Sequence, residues 1–207
     1  MAKLQRESVI KAALELLNEV GMDGLTTRLL ADRLGVQQPA LYWHFNSKRA
    51  LLDALAETIL SERHRLASPR DGDDWRTFMA DNARSFRAAL LAYRDGARIH
   101  AGTRPGAPHY GAVEAKIRLL CDSGFEPVAA ANALVMVSHY VIGAVLEQQS
   151  DETNDREPPR AAGQTTAAPS AFLRAIFAEI GRAGPDALFE QGLAVILDGL
   201  AARIDAA

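Results

Sequence analysis

Apolar residues recur at three- and four-residue spacing along almost the whole chain, a period that predicts one helix after another. Val9, Ala12, Ala13, Leu16, Leu17 and Val20 form a stripe over residues 5–20, and Gly21 ends it. Leu30, Ala31 and Leu34 form a shorter stripe, with Thr26 or Thr27 as its cap and Gly35 as its left-handed close. Pro39 suits the first turn of a new helix over about Gln38 to His44. Leu51, Leu52, Leu55, Ile59 and Leu60 mark a helix at 48–64, and a break follows at 67–73. Trp75, Phe78, Met79, Ala83, Phe86, Ala89 and Leu90 mark the next. A short piece at 95–101 precedes helices at 109–122, 127–149, 170–181 and 185–204. Residues 150–169 are polar and proline-rich without apolar period, which predicts a mobile loop. No segment alternates with period two, so the expected fold is all-α.

The segment 26–49, TTRLLADRLGVQQPALYWHFNSKR, reads as two short helices joined by a tight turn. That is the layout of a helix-turn-helix, whose second helix enters the DNA major groove. A helix of about seven residues cannot stand alone in water, so the 5–20 stripe must hold it. The side chains suit a groove. Gln38 has the paired donor and acceptor that match an adenine edge, and Arg28 matches guanine O6 and N7. Pro39 and Ala40 offer apolar contact to a thymine methyl group. Tyr42, His44 and Lys48 are placed for phosphates, which set register rather than sequence. Thr27 and Trp43 complete the expected reader surface. The other reading is an ordinary helical hairpin with Tyr42 and Trp43 as core aromatics.

The helix at 127–149 carries Val128, Ala131, Leu134, Val135, Val137, Ile142, Val145 and Leu146, more than one apolar face. The last helix, with Leu188, Phe189, Leu193, Ile196, Leu197 and Leu200, is equally wide. Such helices need two partners. One is the chain's own core. The other is expected to be the same helices of a second copy across a two-fold axis, unless the monomer buries them itself. A homodimer places two readers one DNA turn apart, about 34–36 Å, for a palindromic operator.

Composition narrows the class. With 48% hydrophobic and 24% charged residues the chain has an ordinary globular balance. No apolar run is expected to approach the roughly 20 residues that span a bilayer, and MAKLQRESV lacks a signal-peptide core. No membrane role and a cytoplasmic location are therefore expected. A single cysteine, Cys121, excludes an intramolecular disulfide and a cysteine-based zinc cage. Residues 1–50 hold 7 basic and 5 acidic residues, against 16 and 21 in the remainder. This mild asymmetry suits specificity read from base edges and excludes a histone-like binder.

Four segments carry a resemblance: LTTRLLADRLGVQQPALYWHFNSKRALLDALA at 25–56, NARSFRAALLAYRDGARIHAGTRPGAP at 82–108, SHYVIGAVLEQQ at 138–149 and FEQGLAVILDGLA at 189–201. Through them the chain resembles the TetR family of transcriptional regulators, in particular its tetracycline repressors. The resemblance implies a DNA-binding domain at 1–48, a linking helix at 49–64 and a ligand-binding and dimerisation core at 65–207. It implies a repressor, not an enzyme, that leaves its double-stranded operator when tetracycline binds as a Mg²⁺ chelate. His100 matches the direct metal ligand, with Thr103 and Glu147 holding metal-bound water. His64 and Asn82 match groups that bond the drug's polar A ring. Phe86, Arg104, Pro105, Val113, Leu134 and Ser138 match further pocket positions. Leu173, Phe177 and Ile180 match an apolar lid from the second subunit.

The chain also departs from that family's pattern. Lys116 stands where many members carry a drug-bonding glutamine, Leu29 where a lysine is common, and Ala40 where some have threonine. The lysine leaves open a repressor of the same fold that answers a different small molecule. An enzyme built on His64, His100 and Glu147 finds no supporting motif such as H-E-x-x-H.

Overall fold

The computed structural model describes residues 4–101, 103, 109–154 and 168–204, the side chains of 153 and 154 excepted. The described residues form nine helices and no strands. They divide into two compact units, Met1–Leu146 and Glu147–Ala207.

In the first unit, α1 (Arg6–Gly24) supplies the scaffold that its stripe predicted, and Val9, Ala13, Leu16 and Leu17 are fully buried. Gly21 interrupts its regular backbone at φ 72°, as the sequence suggested, and one further turn follows to Gly24. α2 (Thr27–Leu34) is capped by Thr26, whose hydroxyl accepts from the Leu29 N–H, so Thr26 rather than Thr27 is the cap. Gly35 closes it in the left-handed region. α3 (Pro39–Tyr42) is only four residues long, shorter than the periodicity predicted. Leu41 and Phe45 hold it, buried in one cluster with α1, α2 and α4. The Arg6 guanidinium lies 5.0 Å from the Phe45 ring centroid and covers that anchor.

α4 (Lys48–Arg63) begins at Ser47, whose hydroxyl accepts from the Ala50 N–H, and packs Leu51, Leu55 and Ile59 into the same cluster. α5 (Trp75–Leu91) is capped by Asp74, which accepts from the Thr77 N–H. That hydrogen bond holds the Asp74 carboxyl below its ordinary pKa. α6 (Gly96–His100) packs against α4 and α5, and its Ile99 enters the reader's core cluster. Gly96 is required there, because a Cβ would fall 2.1 Å from the Leu90 carbonyl oxygen. α7 (Tyr110–Asp122) turns at Ser123 and Gly124 into α8 (Pro127–Asn154).

Residues 150–154 continue α8, so the predicted loop at 150–169 starts later than expected. Its center, 155–167, lies outside the described residues. α8 also corrects the expectation about apolar runs. Pro127–Glu152 is long and apolar enough, with a mean hydropathy of 1.7, to cross a membrane by length and composition. Asn132, Ser138 and His139 break the run to the eye without lowering its mean much. A single such helix is weak evidence of spanning, since helices that pack against other helices meet the same criterion.

In the second unit, α9 (Ala171–Ile204) breaks at Gly184, φ 76°, just before Pro185. This reproduces the two predicted helices. The later part buries Phe189, Leu193, Leu197 and Leu200. The earlier part leaves Phe172, Leu173, Ile176, Phe177 and Ile180 exposed.

Candidate functional site

Two sets of polar side chains emerge in the first unit, one around α3 and one between α4, α5 and α6. At α3 the outward face is polar and aromatic. Trp43 is 90% exposed and Tyr42 49%, so neither is a core aromatic. Arg28, Pro39 and Lys48 are exposed, while Thr27, Ala40 and His44 are half-buried. The Gln38 amide donates to Thr27 Oγ1 at 2.9 Å and to Tyr42 Oη at 3.3 Å, which ties the start of α3 to the start of α2. The reader's side chains are thus ordered among themselves. Behind them, the Arg33 guanidinium bonds both Glu19 carboxylate oxygens and links α2 to α1.

The second set begins where α4 ends. His64 caps that helix and turns toward α5. Its Nδ1 lies 3.0 Å from Ser85 Oγ, and Asn82 Nδ2 lies 3.3 Å from its Nε2. Asn82 Nδ2 also donates to the Leu66 carbonyl at 2.6 Å. With Nε2 accepting, Nδ1 carries the ring proton and donates to Ser85. The Phe86 ring lies between the two imidazoles, 5.7 Å from His64 and 5.1 Å from His100, the latter contact edge-on. His100 ends α6, and Thr103 Oγ1 sits 3.3 Å from its Nδ1 while donating to its carbonyl at 2.8 Å.

Burial lowers the pKa of both histidines. His64 falls to about 4, through burial first and then the charges of Lys116 and His100. His100 is lowered by burial alone. Both imidazoles are therefore neutral at pH 7, the state in which a ring nitrogen can bind a cation. Among the described residues no three His, Cys, Asp or Glu side chains gather as a metal cage. One available imidazole with a hydroxyl beside it fits a hard cation that keeps most of its water and brings other oxygen ligands with it.

The structure brings together His64, Asn82, Phe86, His100 and Thr103. Lys116 on α7 is near enough for its charge to act on His64. Val113, Leu134 and Ser138 are half-buried on α7 and α8. Glu147, Leu173, Phe177 and Ile180 belong to the second unit and are exposed. Arg104 and Pro105 lie outside the described residues.

Sequence reasoning missed the polar strap that ties α6 to the end of α1. Asp95 enters α6 at φ 57°, and its Oδ2 accepts from the Met22 N–H at 2.7 Å. Arg98 bonds both Asp23 oxygens, at 2.9 and 3.0 Å, and Asp95 Oδ1 at 3.3 Å. The Arg94 N–H donates to Asn18 Oδ1 at 2.9 Å. Gly21 is needed at this junction, because a Cβ there would lie 2.9 Å from Asp95 Oδ2 in an already left-handed backbone. Ser85 was missed as well, since a lone serine on a helix carries no signal.

Residues 9–55 match the family described as bacterial regulatory proteins, tetR family, and residues 68–204 match the tetracyclin repressor-like C-terminal domain. The chain belongs to the TetR family. This regulator is 61% identical to the class A tetracycline repressor protein from transposon 1721 of Escherichia coli, over 98% of this chain and 93% of that one. It is similar to the crystal structure of TetR from Acinetobacter baumannii AYE, with a TM-score of 0.84, 54% identity, and 98% and 99% of the two chains covered. A class A TetR in complex with 5a,6-anhydrotetracycline and magnesium matches with a TM-score of 0.78 and 55% identity, over 96% and 98% of the chains. The family is one of DNA-binding transcriptional regulators, so the helix-turn-helix reading of 26–49 holds, and the hairpin and enzyme readings fall away.

Proposed function

We propose that this chain is a tetracycline-responsive repressor. It acts as a homodimer that binds a palindromic operator and is released when tetracycline binds together with Mg²⁺. The observation that carries this reading is the His64–Phe86–His100 ladder, flanked by Asn82 and Thr103 and resting on α4 and α6. Its relatives include one solved with anhydrotetracycline and magnesium. Residues 1–48 read DNA, 49–64 link, and 65–207 bind ligand and dimerise. The exposed apolar faces of α8 and α9, with Val135, Met136 and Val195 outward, form the dimer contact. A DNA regulator of this kind works in the cytoplasm.

In the reader, Gln38 and Arg28 contact base edges, Pro39 and Ala40 contact thymine methyl groups, and Thr27, Tyr42, Trp43, His44 and Lys48 contact the backbone. In the core, Asn82 and His64 orient the drug's A ring. Phe86, Val113, Leu134 and Ser138, with Arg104 and Pro105, enclose the drug. Leu173, Phe177 and Ile180 of the second subunit cover it. His100 would hold the metal directly, and Thr103 with Glu147 of the second subunit would hold its water. Bound with the drug, Mg²⁺ would supply positive charge to offset the drug's ionised oxygens.

A ligand that repositions His100 moves α6. That helix touches α4 and is strapped to α1 by Asp95 and Arg98, so both supports of the reader shift together. Drug and operator then oppose each other through one reciprocal coupling free energy.

A gel shift with a palindromic operator tests this reading. Tetracycline with Mg²⁺ releases the DNA, and the same drug with EDTA leaves it bound. Release indifferent to Mg²⁺ contradicts the His100 assignment. A different ligand for the same fold is the second reading, favoured specifically by Lys116; calorimetric silence toward tetracycline with Mg²⁺ selects it.

A further inference from the structure

Four hydrogen bonds around His64 close into a circuit that runs through one peptide unit. Asn82 and Ser85 stand three residues apart, on one face of α5. The chain leaving α4 lays the backbone of Leu66 against both. The Leu66 N–H donates to Ser85 Oγ at 3.2 Å, and the Leu66 carbonyl accepts from Asn82 Nδ2 at 2.6 Å. The His64 imidazole bridges the two side chains, with Nδ1 3.0 Å from Ser85 Oγ and Nε2 3.3 Å from Asn82 Nδ2.

The circuit fixes where the protons are. Turning the Asn82 amide over would set its oxygen 2.6 Å from the Leu66 carbonyl oxygen, two acceptors in contact, so the nitrogen stays there. The second N–H of that amide then faces Nε2, which must be a bare acceptor. The imidazole proton is left on Nδ1 and goes to Ser85 Oγ, which accepts from His64 and from Leu66 at once. Burial above all keeps His64 neutral, so there is one proton to place. A ligand changes the demand on Nε2. In the reading above His64 meets the drug's A ring, which carries an enolate oxygen that accepts and does not donate. Such an oxygen is mismatched with a bare Nε2. It is matched when the proton sits on Nε2, and Nδ1 then needs a donor. Among the described partners of His64, the Ser85 hydroxyl is the one that faces Nδ1, and a hydroxyl can accept in the first state and donate in the second. The Leu66 N–H holds the Ser85 oxygen in place in both.

We propose that Ser85 is a positioning residue that serves His64 in two tautomers. It accepts from Nδ1–H in the empty site, and it donates to Nδ1 once an anionic ligand oxygen accepts from Nε2–H. One proton leaves Nδ1 for water and one from water joins Nε2, so the imidazole stays neutral throughout. This inference rests on the tetracycline reading. It adds a residue that acts on the ligand through His64.

The test is side-chain nitrogen NMR of the isotope-labelled full-length protein, with His64 picked out from the chain's 5 histidines by its loss in His64→Asn. In the empty wild type, Nδ1 is expected to show the shift of a protonated nitrogen and Nε2 that of a bare one. Saturation with tetracycline and Mg²⁺ should exchange the two. Fluorescence titration with the same drug then measures what Ser85 contributes. Ser85→Ala should bind about 2- to 10-fold more weakly, the worth of one hydrogen bond, while its operator affinity in a gel shift stays near wild type. Ser85→Thr, which keeps the hydroxyl, should restore drug affinity. A serine that merely ties Leu66 to α5 predicts a lower melting temperature in Ser85→Ala with drug affinity unchanged, and that result overturns the proposal. So does a wild type that carries its proton on Nε2 when empty, or one that keeps it on Nδ1 when loaded. Neither wild-type spectrum depends on a variant folding, and in all three cases the drug still binds and the tetracycline reading stands. A wild type that fails to bind tetracycline in excess Mg²⁺ overturns both together.

Discussion

Around α3 the side chains proposed to read DNA face outward, and apolar neighbours do the holding: Leu41 and Phe45 are buried beneath an almost fully exposed Trp43. Around His100 the arrangement is reversed. There the functional side chains themselves are half-buried, and they hold one another through Ser85, Asn82, Phe86 and Thr103. A surface reader can keep its groups charged, because water solvates them until phosphates replace it. An inward site must keep its histidines neutral, which burial does here. The contrast teaches that the reader's strength lies in its support, and the ligand site's strength lies in its own hydrogen bonds.

The largest expected effect attacks that support. Leu55→Ala empties a fully buried position in the cluster shared by α1 to α4. A loss of about 2–5 kcal/mol is expected. Urea melts should show the loss, with operator affinity falling alongside it. Stability unchanged to within error would mean that the shared core is not what holds the reader.

Next come substitutions that split the two regions. His100→Ala should abolish a drug–operator coupling of roughly 5–150-fold while operator affinity stays near wild type. Gln38→Ala should reverse the pattern, costing about 1–3 kcal/mol of base discrimination with drug titration unchanged. Both are read by gel shift and by drug fluorescence. If either variant loses both activities equally, the regions are not separable as drawn.

pH gives a subtler contrast. His64 is held at about 4 against an ordinary 6.5, so between those values the unfolded chain binds the extra proton. Its contribution to stability is full above pH 6.5 and is lost as pH falls through 4. Melting followed from pH 7 to pH 4 should fall less steeply in His64→Asn than in wild type. The smallest effect belongs to the strap. Arg98 is exposed, so Arg98→Ala should shift melting by no more than about 4 °C. Its effect on how strongly drug displaces operator should exceed its effect on stability, because it joins α6 to α1.

Much of this was legible in the one-dimensional pattern. The helices at 6–24, 27–34, 48–63 and 75–91 follow apolar spacing, and Thr26 and Gly35 announce the ends of α2 by cap chemistry, whereas the caps Ser47 and Asp74 emerged only in the structure. α3 was overestimated because four helical residues anchored from below look the same in sequence as seven. α8 was ended too early because Ser150, Asp151 and Glu152 read as loop although they extend an established helix at no great cost. The site histidines stood out only through resemblance, since a lone histidine in a helix pattern carries no sign of its role.

What the order of residues determines here is local: helical period, caps, breaks at Gly21, Gly35 and Gly184, and a short segment with groove-reading chemistry. Those depend on interactions within a few residues, which the chain writes directly. Packing alone decided that His64, Asn82 and His100 share one interior, and that Asp95 reaches Met22 across 73 positions of sequence. Such contacts arise from several helices burying their apolar faces at once, and no local window of the sequence contains them.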